Sequence, residues 1–206
     1  MLSIRGLTRR AGDGPAIGPL DLEVPAGRLV ALMGASGSGK SLLLRAIADL
    51  DPAAGRVSLD GVDREAVDAP AWRRQVIYVA AQAGWWDDRV GAHFADPDAG
   101  GTVLPRLGLE AAALDWPVDR LSSGERQRLA LARAVTLPRP AGAARAYLLD
   151  EPTAALDADS AARVEALISG LADARTAVLL VTHDAAQAAR LGSGGVVHLR
   201  GGRLEA

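Results

Sequence analysis

The feature that most constrains this chain is a short glycine-rich run that ends in a lysine and a serine. An apolar, strand-like run over residues 29–33 precedes it, and a helix-like apolar pattern over 42–48 follows it. The run consists of Gly34, Ala35, Ser36, Gly37, Ser38, Gly39, Lys40 and Ser41. A strand, a glycine-rich turn and a helix N-terminus in this order are typical of a phosphate-binding P-loop, because backbone N–H groups and the helix dipole both favour an anion there.

Lys40 is the only lysine among the 23 basic residues of the chain. A compact ammonium fits between phosphate groups where the broad, planar guanidinium of arginine does not. A chain that otherwise uses arginine throughout has therefore kept the cation that suits a phosphate site. The hydroxyl of Ser41 is placed to bind Mg²⁺. These features favour a phosphate site over the alternative, an ordinary Gly/Ser-rich turn.

The composition of the chain argues against several classes of protein and kinds of site. The formal net charge of −2 argues against a nucleic-acid-binding surface, and the absence of cysteine from all 206 residues excludes disulfides and thiolate metal sites. No apolar run approaches the length that crosses a bilayer, and the start of the sequence lacks a signal-peptide core. We therefore expect a soluble, cytoplasmic protein that reaches a membrane only through a partner.

Strand and helix patterns alternate along most of the chain. This alternation predicts an α/β fold, with a mainly parallel sheet flanked by helices and a nucleotide at the carboxyl ends of the strands. Early segments that alternate apolar and polar residues predict a small antiparallel β part beside it. Strands are predicted at 2–7, 20–24, 29–33, 56–60, 76–79, 146–151, 176–181 and 195–201, and helices after Lys40, around 70–74, from the 121–125 turn to Pro138, and over 160–171.

Residues 83–120 differ in composition and sequence pattern from the rest of the chain. They contain glycines, prolines and the adjacent pair Trp85 and Trp86, and they lack a continuous strand pattern. We interpret the segment as a small, mainly helical insertion. The tryptophan pair has two interpretations of equal weight, the core of this insertion or an exposed patch that receives a partner. His93 and His198 have no special context and are interpreted as ordinary packing or surface residues.

Two further patterns indicate phosphate chemistry. Asp150 and Glu151 end a buried-type strand, and adjacent carboxylates in a chain with a P-loop suggest that one handles Mg²⁺ while the other does base chemistry. The polar turn at 121–125 opens a helix with two serines and a glycine. It is a second helix N-terminus suited to an anion.

With these features in order, the chain resembles the ATP-binding subunit of an ABC transporter over nearly its whole length. The LSSGE turn singles out this family among P-loop proteins. The similarity rests on the P-loop at 34–41, Gln82 after a strand, LSSGE at 121–125, YLLDE at 147–151, Ala155, Leu156, Asp157 and His183.

The resemblance implies a RecA-like P-loop NTPase fold and a single ABC ATPase domain over 1–206. Within it, residues 1–82 and 138–206 would form the nucleotide-binding core, and 83–137 would form a helical subdomain that carries the signature motif. Two copies would form a head-to-tail homodimer with two ATP molecules at the interface. The dimer would power a separate integral-membrane permease from the cytoplasmic face of the membrane.

Site roles follow from the same resemblance. The glutamate after the buried strand would polarise the attacking water, and the histidine would bridge to the γ-phosphate, which fits a reaction driven by positioning and charge neutralisation. The LSSGE turn would reach the ATP of the other subunit. The implied roles are phosphate binding by Lys40, the 34–41 amides and the position of Leu42, trans contacts by Ser122, Ser123 and Gly124, Mg²⁺ binding by Ser41, Gln82 and Asp150, and catalysis by Glu151, His183 and Lys40.

Four positions depart from the family pattern. The aromatic that usually stacks on adenine should fall near Arg10 and Ala11, where the Arg10 guanidinium is the available substitute. Leu42 replaces a hydroxyl near the α-phosphate, Ser123 replaces the first glycine of the signature, and Ala154 replaces the usual serine. These changes bear on nucleotide affinity and base selectivity and leave the hydrolytic residues intact.

Two other functions compete with a transport ATPase. A soluble ABC-type ATPase of DNA repair or translation is disfavoured, since the sequence has no coiled-coil arm, zinc cluster, second ATPase half or basic stripe. A low-turnover nucleotide-binding regulatory module is disfavoured by Glu151 and His183. Compact size and residues 78–86 also resemble stand-alone ATPases of small metal-exporting permeases, which leaves the direction of transport open. We further hypothesise that Trp85 and Trp86 help to dock the permease.

Overall fold

A computed structural model describes residues 1–9 and 17–205 of the chain, so the expected adenine contact near Arg10 and Ala11 lies outside the described residues. Its contacts divide the chain into two units. The first comprises Met1–Tyr78, Ala141–Glu151 and Leu171–Ala206, and the second comprises Val79–Pro140 and Pro152–Gly170. The predicted subdomain of 83–137 falls within the second unit, and residues 152–170 group with it.

Strands and helices are numbered along the described chain. The strands are β1 (Leu2–Arg9), β2 (Ile17–Val24), β3 (Leu29–Met33), β4 (Ala54–Leu59), β5 (Val62–Asp63), β6 (Val76–Val79), β7 (Arg145–Asp150), β8 (Thr176–Val181), β9 (Val196–Arg200) and β10 (Arg203–Glu205). The helices are α1 (Lys40–Ile47), α2 (Ala69–Gln75), α3 (Pro97–Val103), α4 (Ser123–Val135), α5 (Ala158–Ser169) and α6 (Ala185–Leu191).

A six-stranded sheet in the order β10-β9-β3-β8-β7-β6 forms the centre of the first unit. The pairs β3–β8, β3–β9 and β7–β8 are parallel, and β9–β10 is antiparallel. Every residue of β7 and β8 is buried, as expected for parallel strands covered on both faces. The predicted α/β fold with a mainly parallel sheet is therefore confirmed.

A second sheet in the first unit has four antiparallel strands in the order β2-β1-β4-β5. Leu2 and Ile4 of β1 are buried and belong to the same apolar cluster as Leu43, Leu44 and Ile47 of α1. This sheet is the predicted small antiparallel part. Its apolar face fixes α1, the helix that follows the glycine-rich loop.

The C-terminal end of α1 is also fixed by specific hydrogen bonds. The buried indole of Trp72 donates from Nε1 to the carbonyl of Ile47 at 2.9 Å, and Nη1 of buried Arg64 donates to the carbonyl of Ala46 at 3.0 Å. The last carbonyls of a helix have no partner within the helix, so these side chains complete its hydrogen bonding. They hold α1 at the end opposite the P-loop.

The second unit is mainly helical, with α3, α4, α5 and short 3₁₀ segments at 90–93, 104–107, 111–115 and 118–120. Between residues 83 and 120, which the structure describes in full, the only strand-like pairing is an isolated bridge between Arg89 and Pro117. This agrees with the predicted helical insertion. In the described part of the chain, no helix is both long and apolar enough to cross a membrane.

Candidate nucleotide-binding and hydrolysis site

The P-loop connects β3 to α1 with a backbone that only small residues can follow. Gly37 and Gly39 have φ values of 76° and 99°, in the left-handed region that glycine enters without a steric penalty. A Cβ on Gly34 would lie 2.5 Å from the carbonyl oxygen of Leu199 and 2.8 Å from Oγ of Ser38. The loop therefore passes too close to its neighbours for a side chain at position 34.

The start of α1 lacks the usual helix cap. Gly39 is the N-cap residue, no side chain caps the helix, and the first turn contains no acidic residue. The first N–H groups of a helix need partners from outside the helix, and the dipole places partial positive charge there. This end of α1 is thus suited to an external anion.

Lys40 is the first residue of α1, and its side chain is 7% exposed. Its Nζ donates to the carbonyl oxygens of Gly34 at 2.8 Å and Ala35 at 3.0 Å, so the ammonium is held over the loop. A cavity of about 270 Å³ adjoins it. The cavity is lined by Ser36, Gly37, Gly39, Lys40, Ser41, Leu42 and Glu151.

Glu151 follows β7 in a left-handed backbone conformation, with φ of 47°. Such a conformation costs a non-glycine residue roughly 1–2 kcal/mol, so the surrounding structure must enforce it. Its N–H donates to the carbonyl of Val181 in β8 at 3.0 Å, which pins this turn. Its Oε2 lies 3.4 Å from Nδ1 of His183, whose side chain is 67% exposed. Glu151 and His183, two of the three predicted catalytic residues, therefore lie together. Glu151 and the third, Lys40, both line the P-loop cavity.

Asp150, the last residue of β7, is 3% exposed and accepts a hydrogen bond from the hydroxyl of Tyr78 at 3.0 Å. Burial and the nearby Asp150 carboxylate raise the pKa of Tyr78, so the phenol stays neutral and remains a donor. Tyr78 was missed as a site residue by sequence reasoning. The available signal was its place near the end of β6, which lies next to β7 in the sheet.

The donor set fits Mg²⁺ without a preformed metal cluster. Among the described residues, no group of three or more His, Cys, Asp or Glu side chains could hold a metal. Mg²⁺ bound with a nucleotide takes most of its ligands from phosphate and water, and needs only one or two protein oxygens. The Ser41 hydroxyl and the Asp150 carboxylate, which accepts from Tyr78, offer oxygen atoms of this kind, and their contact with Mg²⁺ stays a prediction.

The remaining predicted site residues belong to the second unit. Gln82 is exposed beyond the end of β6. Ser122 is the N-cap of α4 within residues 121–125, named here the signature turn, and Ser123 beside it is exposed. A Cβ on Gly124 would lie 3.2 Å from the side chain of Leu156, so this glycine permits close packing. The contacts of these four residues with Mg²⁺ and a second ATP stay predictions.

Ser122 and Glu125 form a capping box at the start of α4. The Glu125 N–H donates to Oγ of Ser122 at 3.2 Å, while the Ser122 N–H and hydroxyl each donate to Oε2 of Glu125 at 2.8 Å. The two residues thus satisfy each other's polar groups. The hydrogen bonds from Ser122 hold the pKa of Glu125 below its ordinary range.

The two tryptophans differ in exposure, so Trp85 fits the interpretation as core and Trp86 fits the interpretation as an exposed patch. Trp85 is partly buried and Trp86 is 71% exposed. The guanidinium carbon of Arg133 lies 5.1 Å from the ring centroid of Trp85 and 4.9 Å from that of Trp86. We name these three side chains, with His93, the tryptophan platform. Because burial removes water around Arg133, its cation–π attraction to both rings is strengthened.

His93 organises this platform and was interpreted from the sequence only as a packing or surface residue. It is 5% exposed, and its ring lies 4.8 Å and 4.4 Å from the rings of Trp85 and Trp86. Its Nε2 accepts from the N–H groups of Trp86 at 2.9 Å and Asp87 at 3.1 Å. Nδ1 lies 2.9 Å from the carbonyl of Arg89, so it carries the proton in the tautomer that satisfies every contact.

Comparisons with known proteins agree with this geometry. A family model described as ABC transporter matches residues 17–154. The aliphatic sulfonates import ATP-binding protein SsuB 3 of Paraburkholderia xenovorans is 38% identical over 209 residues, covering 100% of this chain and 79% of that protein. SsuB 2 of Nocardia farcinica is 39% identical over 210 residues, covering 99% and 82%.

A solved structure is also similar over the whole chain. It is the dimeric post-hydrolysis state of the ATP-binding cassette MJ0796 bound to ADP and Pi, with a TM-score of 0.82 and 25% sequence identity. The match covers 100% of this chain and 97% of that one.

Proposed function

The chain belongs to the ABC transporter family as an ATP-binding subunit with ATPase activity, and from this premise we propose that a homodimer of it hydrolyses Mg²⁺–ATP to drive a membrane permease. One observation carries the assignment of the hydrolysis site. Glu151 lines the P-loop cavity and also lies 3.4 Å from His183. A base, its neighbouring imidazole and a phosphate cradle are therefore joined within the first unit.

We propose that the P-loop binds the phosphates of ATP. The uncapped N-terminus of α1 supplies backbone N–H groups, and Lys40 exchanges its contacts with the Gly34 and Ala35 carbonyls for phosphate oxygens. Leu42 lines the cavity with an apolar side chain. When bound, Mg²⁺ neutralises charge on the phosphates, and Ser41, Asp150 and Gln82 are the residues that would hold it.

Hydrolysis is assigned to Glu151 and His183. The carboxylate orients a water for attack and draws on its proton, and the imidazole next to it supplies a polar contact to the transferring phosphoryl group. The left-handed backbone at Glu151 and its N–H contact with Val181 hold the carboxylate at the cavity. The hydrogen bond from Tyr78 fixes the neighbouring Asp150 carboxylate. The two adjacent carboxylates therefore take different roles, Asp150 toward Mg²⁺ and Glu151 toward the attacking water.

The dimer is supported by the similar solved structure of MJ0796, which is a dimeric cassette bound to ADP and Pi. In our proposal the signature turn of one subunit, with Ser122, Ser123 and Gly124, approaches the γ-phosphate held by the P-loop of the other. The head-to-tail arrangement leaves each site incomplete in a single subunit. Two ATP molecules would then act as the link between the subunits.

The permease partner is supported by the relatives, which are named as import ATP-binding proteins. We propose that this chain works at the cytoplasmic face of the membrane and that import is its direction. The tryptophan platform presents Trp86 with 71% of its surface exposed, while Arg133 and His93 hold the ring in place. We assign it to permease docking.

The docking assignment is tested by co-purifying the permease with wild type and with Trp86→Ala. We expect the variant to lose most of the bound permease and to keep its ATP affinity, because Trp86 lies outside the P-loop cavity. Trp116→Ala is a matched control, because Arg120 also stacks on that ring, at 3.9 Å from its centroid. Unchanged permease recovery with Trp86→Ala would contradict the assignment.

The hydrolysis assignment is tested with Glu151→Gln. We expect steady-state Mg²⁺–ATP hydrolysis to fall by about 10²-fold or more, as for loss of a general base. ATP binding should persist, and size-exclusion chromatography with light scattering should show a dimer in ATP. The control is Glu110→Gln, an exposed carboxylate whose side chain makes no cap contact. Wild-type turnover in Glu151→Gln would overturn the role of this residue.

A further inference from the structure

The signature turn holds an anion of its own. Oε2 of Glu125 accepts from both the N–H and the hydroxyl of Ser122, each at 2.8 Å. These two groups are the donors that Ser122 could offer to a phosphate. In the subunit by itself, a carboxylate from the same helix therefore already receives them.

The charge of this carboxylate is well stabilised where it lies. It sits in the first turn of α4, where the helix dipole favours negative charge. Arg120 and Arg128 add to the attraction, after the hydrogen bonds from Ser122, in keeping the pKa of Glu125 low. Glu125 is thus ionised at neutral pH, and it opposes the approach of a second anion to the same donors.

We propose that Glu125 is a positioning residue that sets how tightly the signature turn binds the ATP of the partner subunit. The inference rests on the proposed function, in which Ser122 faces a γ-phosphate across the dimer. To bind that phosphate, Ser122 must release Glu125, and the phosphate must approach a fixed negative charge. Glu125 therefore weakens the ATP-bound dimer and favours its separation after hydrolysis.

A glutamine at this position separates charge from hydrogen bonding. The amide of Glu125→Gln keeps an oxygen that can accept from the Ser122 N–H, so the start of α4 retains its cap. It removes the negative charge that a phosphate would meet. Glu125→Asp has the opposite character, because it keeps the charge on a shorter side chain.

The experiment measures ATP-dependent dimerisation by sedimentation velocity in the Glu151→Gln background, where hydrolysis is slow. We expect Glu125→Gln to lower the ATP concentration for half-maximal dimer by about tenfold, as expected from removing one like charge at close range. Glu125→Asp should not lower it, and Glu110→Gln should leave it unchanged. The affinity of the monomer for a fluorescent ATP analogue, measured below the dimerisation concentration, should be the same in all variants.

The outcomes separate this inference from the proposed function. If Glu151→Gln alone forms no dimer with ATP, the head-to-tail dimer itself is wrong. If it dimerises and Glu125→Gln needs as much ATP or more, the role of Glu125 is overturned and the dimer stands. Equal tightening by Glu125→Gln and Glu125→Asp would also overturn it, because charge would not be the cause. A thermal melt of each variant confirms that α4 remains folded.

Discussion

The start of α1 and the start of α4 are both helix N-termini that the sequence assigns to phosphate, yet they are built in opposite ways. At α1 the cap position is Gly39 in a left-handed conformation, with no capping side chain and no acid in the first turn. At α4 Ser122 caps the helix and Glu125 completes a capping box. One helix leaves its first donors to a ligand, and the other satisfies them from its own sequence.

The difference teaches how a helix can do without a cap. Capping is worth about 1 kcal/mol, so α1 needs stabilisation from elsewhere. It receives it from its buried apolar face and from Trp72 and Arg64, which cap the carbonyls at its far end. The α4 start is stable in itself, and ligand binding there must compete with a contact that already exists.

The largest effect that would test this comparison is expected at Lys40. Lys40→Ala should weaken ATP binding about 100-fold, since it removes a buried cation that makes charge-assisted hydrogen bonds. Lys40→Arg should lose nearly as much ATP affinity, because a broad, planar guanidinium does not fit between phosphate groups as the compact ammonium does. Isothermal titration calorimetry measures both affinities.

Arg5→Ala is the control for this experiment. Arg5 is an exposed cation of the same unit, paired with Glu23. Its removal should leave ATP affinity unchanged. Binding by Lys40→Arg within about threefold of wild type would show that charge alone matters at this position, which would weaken the argument from the single lysine.

An intermediate effect is expected at the cap of α1. Gly39→Ala should reduce the free energy of unfolding by about 1–2 kcal/mol, because the residue has φ of 99° and its Cβ would lie 3.1 Å from the side chain of Ile17. Urea denaturation measures this change. Gly37→Ala is the matched control, with φ of 76° and no atom within 4 Å of its Cβ. Equal losses in both variants would mean that backbone strain alone is responsible.

The smallest effect is the pH dependence of the α4 cap. The pKa of Glu125 is below its ordinary value of 4.5, so its contribution to stability is present above that value and is lost as pH falls through the lower, folded-state pKa. The free energy of unfolding of wild type should therefore exceed that of Glu125→Gln by a few tenths of a kcal/mol near neutral pH, and this difference should vanish in acid.

Urea titrations of both proteins at about pH 6 and about pH 3 measure this difference. A difference that grows in acid would contradict the assignment of the low pKa to the folded state. No equivalent experiment exists at the start of α1, because its first turn contains no acidic residue.

Much of the fold follows from local patterns. The strands predicted at 29–33, 76–79 and 176–181 have the observed bounds, because each is a continuous apolar run that is buried in the sheet. The strand predicted at 20–24 in fact begins at Ile17, which pairs with Arg9 of β1. The extension depends on this partner strand, so the local pattern alone did not indicate it.

Two elements at the C-terminal side were not predicted at all. Helix α6 is only seven residues long and rich in alanine, so it has little apolar periodicity to detect. Its one clear signal is Asp184, whose carboxylate accepts from the N–H groups of Ala186 and Gln187. Strand β10 has the sequence Arg203, Leu204, Glu205 and is defined by its antiparallel pairing with β9.

The candidate site likewise has features that local sequence indicates and features that only the folded chain creates. The P-loop, the adjacent carboxylates Asp150 and Glu151 at the end of β7, and the signature turn are each a contiguous stretch of sequence, so local spacing was enough to propose them as site residues. The Tyr78–Asp150 hydrogen bond joins residues 72 positions apart, and no local pattern indicates it. The role of His93 depends on backbone N–H groups of Trp86 and Asp87, which only the folded loop turns toward the ring.

The burial of Lys40 has one further consequence, for proteolysis. A lysine-specific endoprotease has a single lysyl bond to cut in 206 residues, between Lys40 and Ser41 in the first turn of α1. Because Lys40 is 7% exposed and its ammonium is bound to two loop carbonyls, the intact protein hides this bond. The rate of cleavage therefore reports how often the P-loop and the start of α1 open together, with no label attached to the protein.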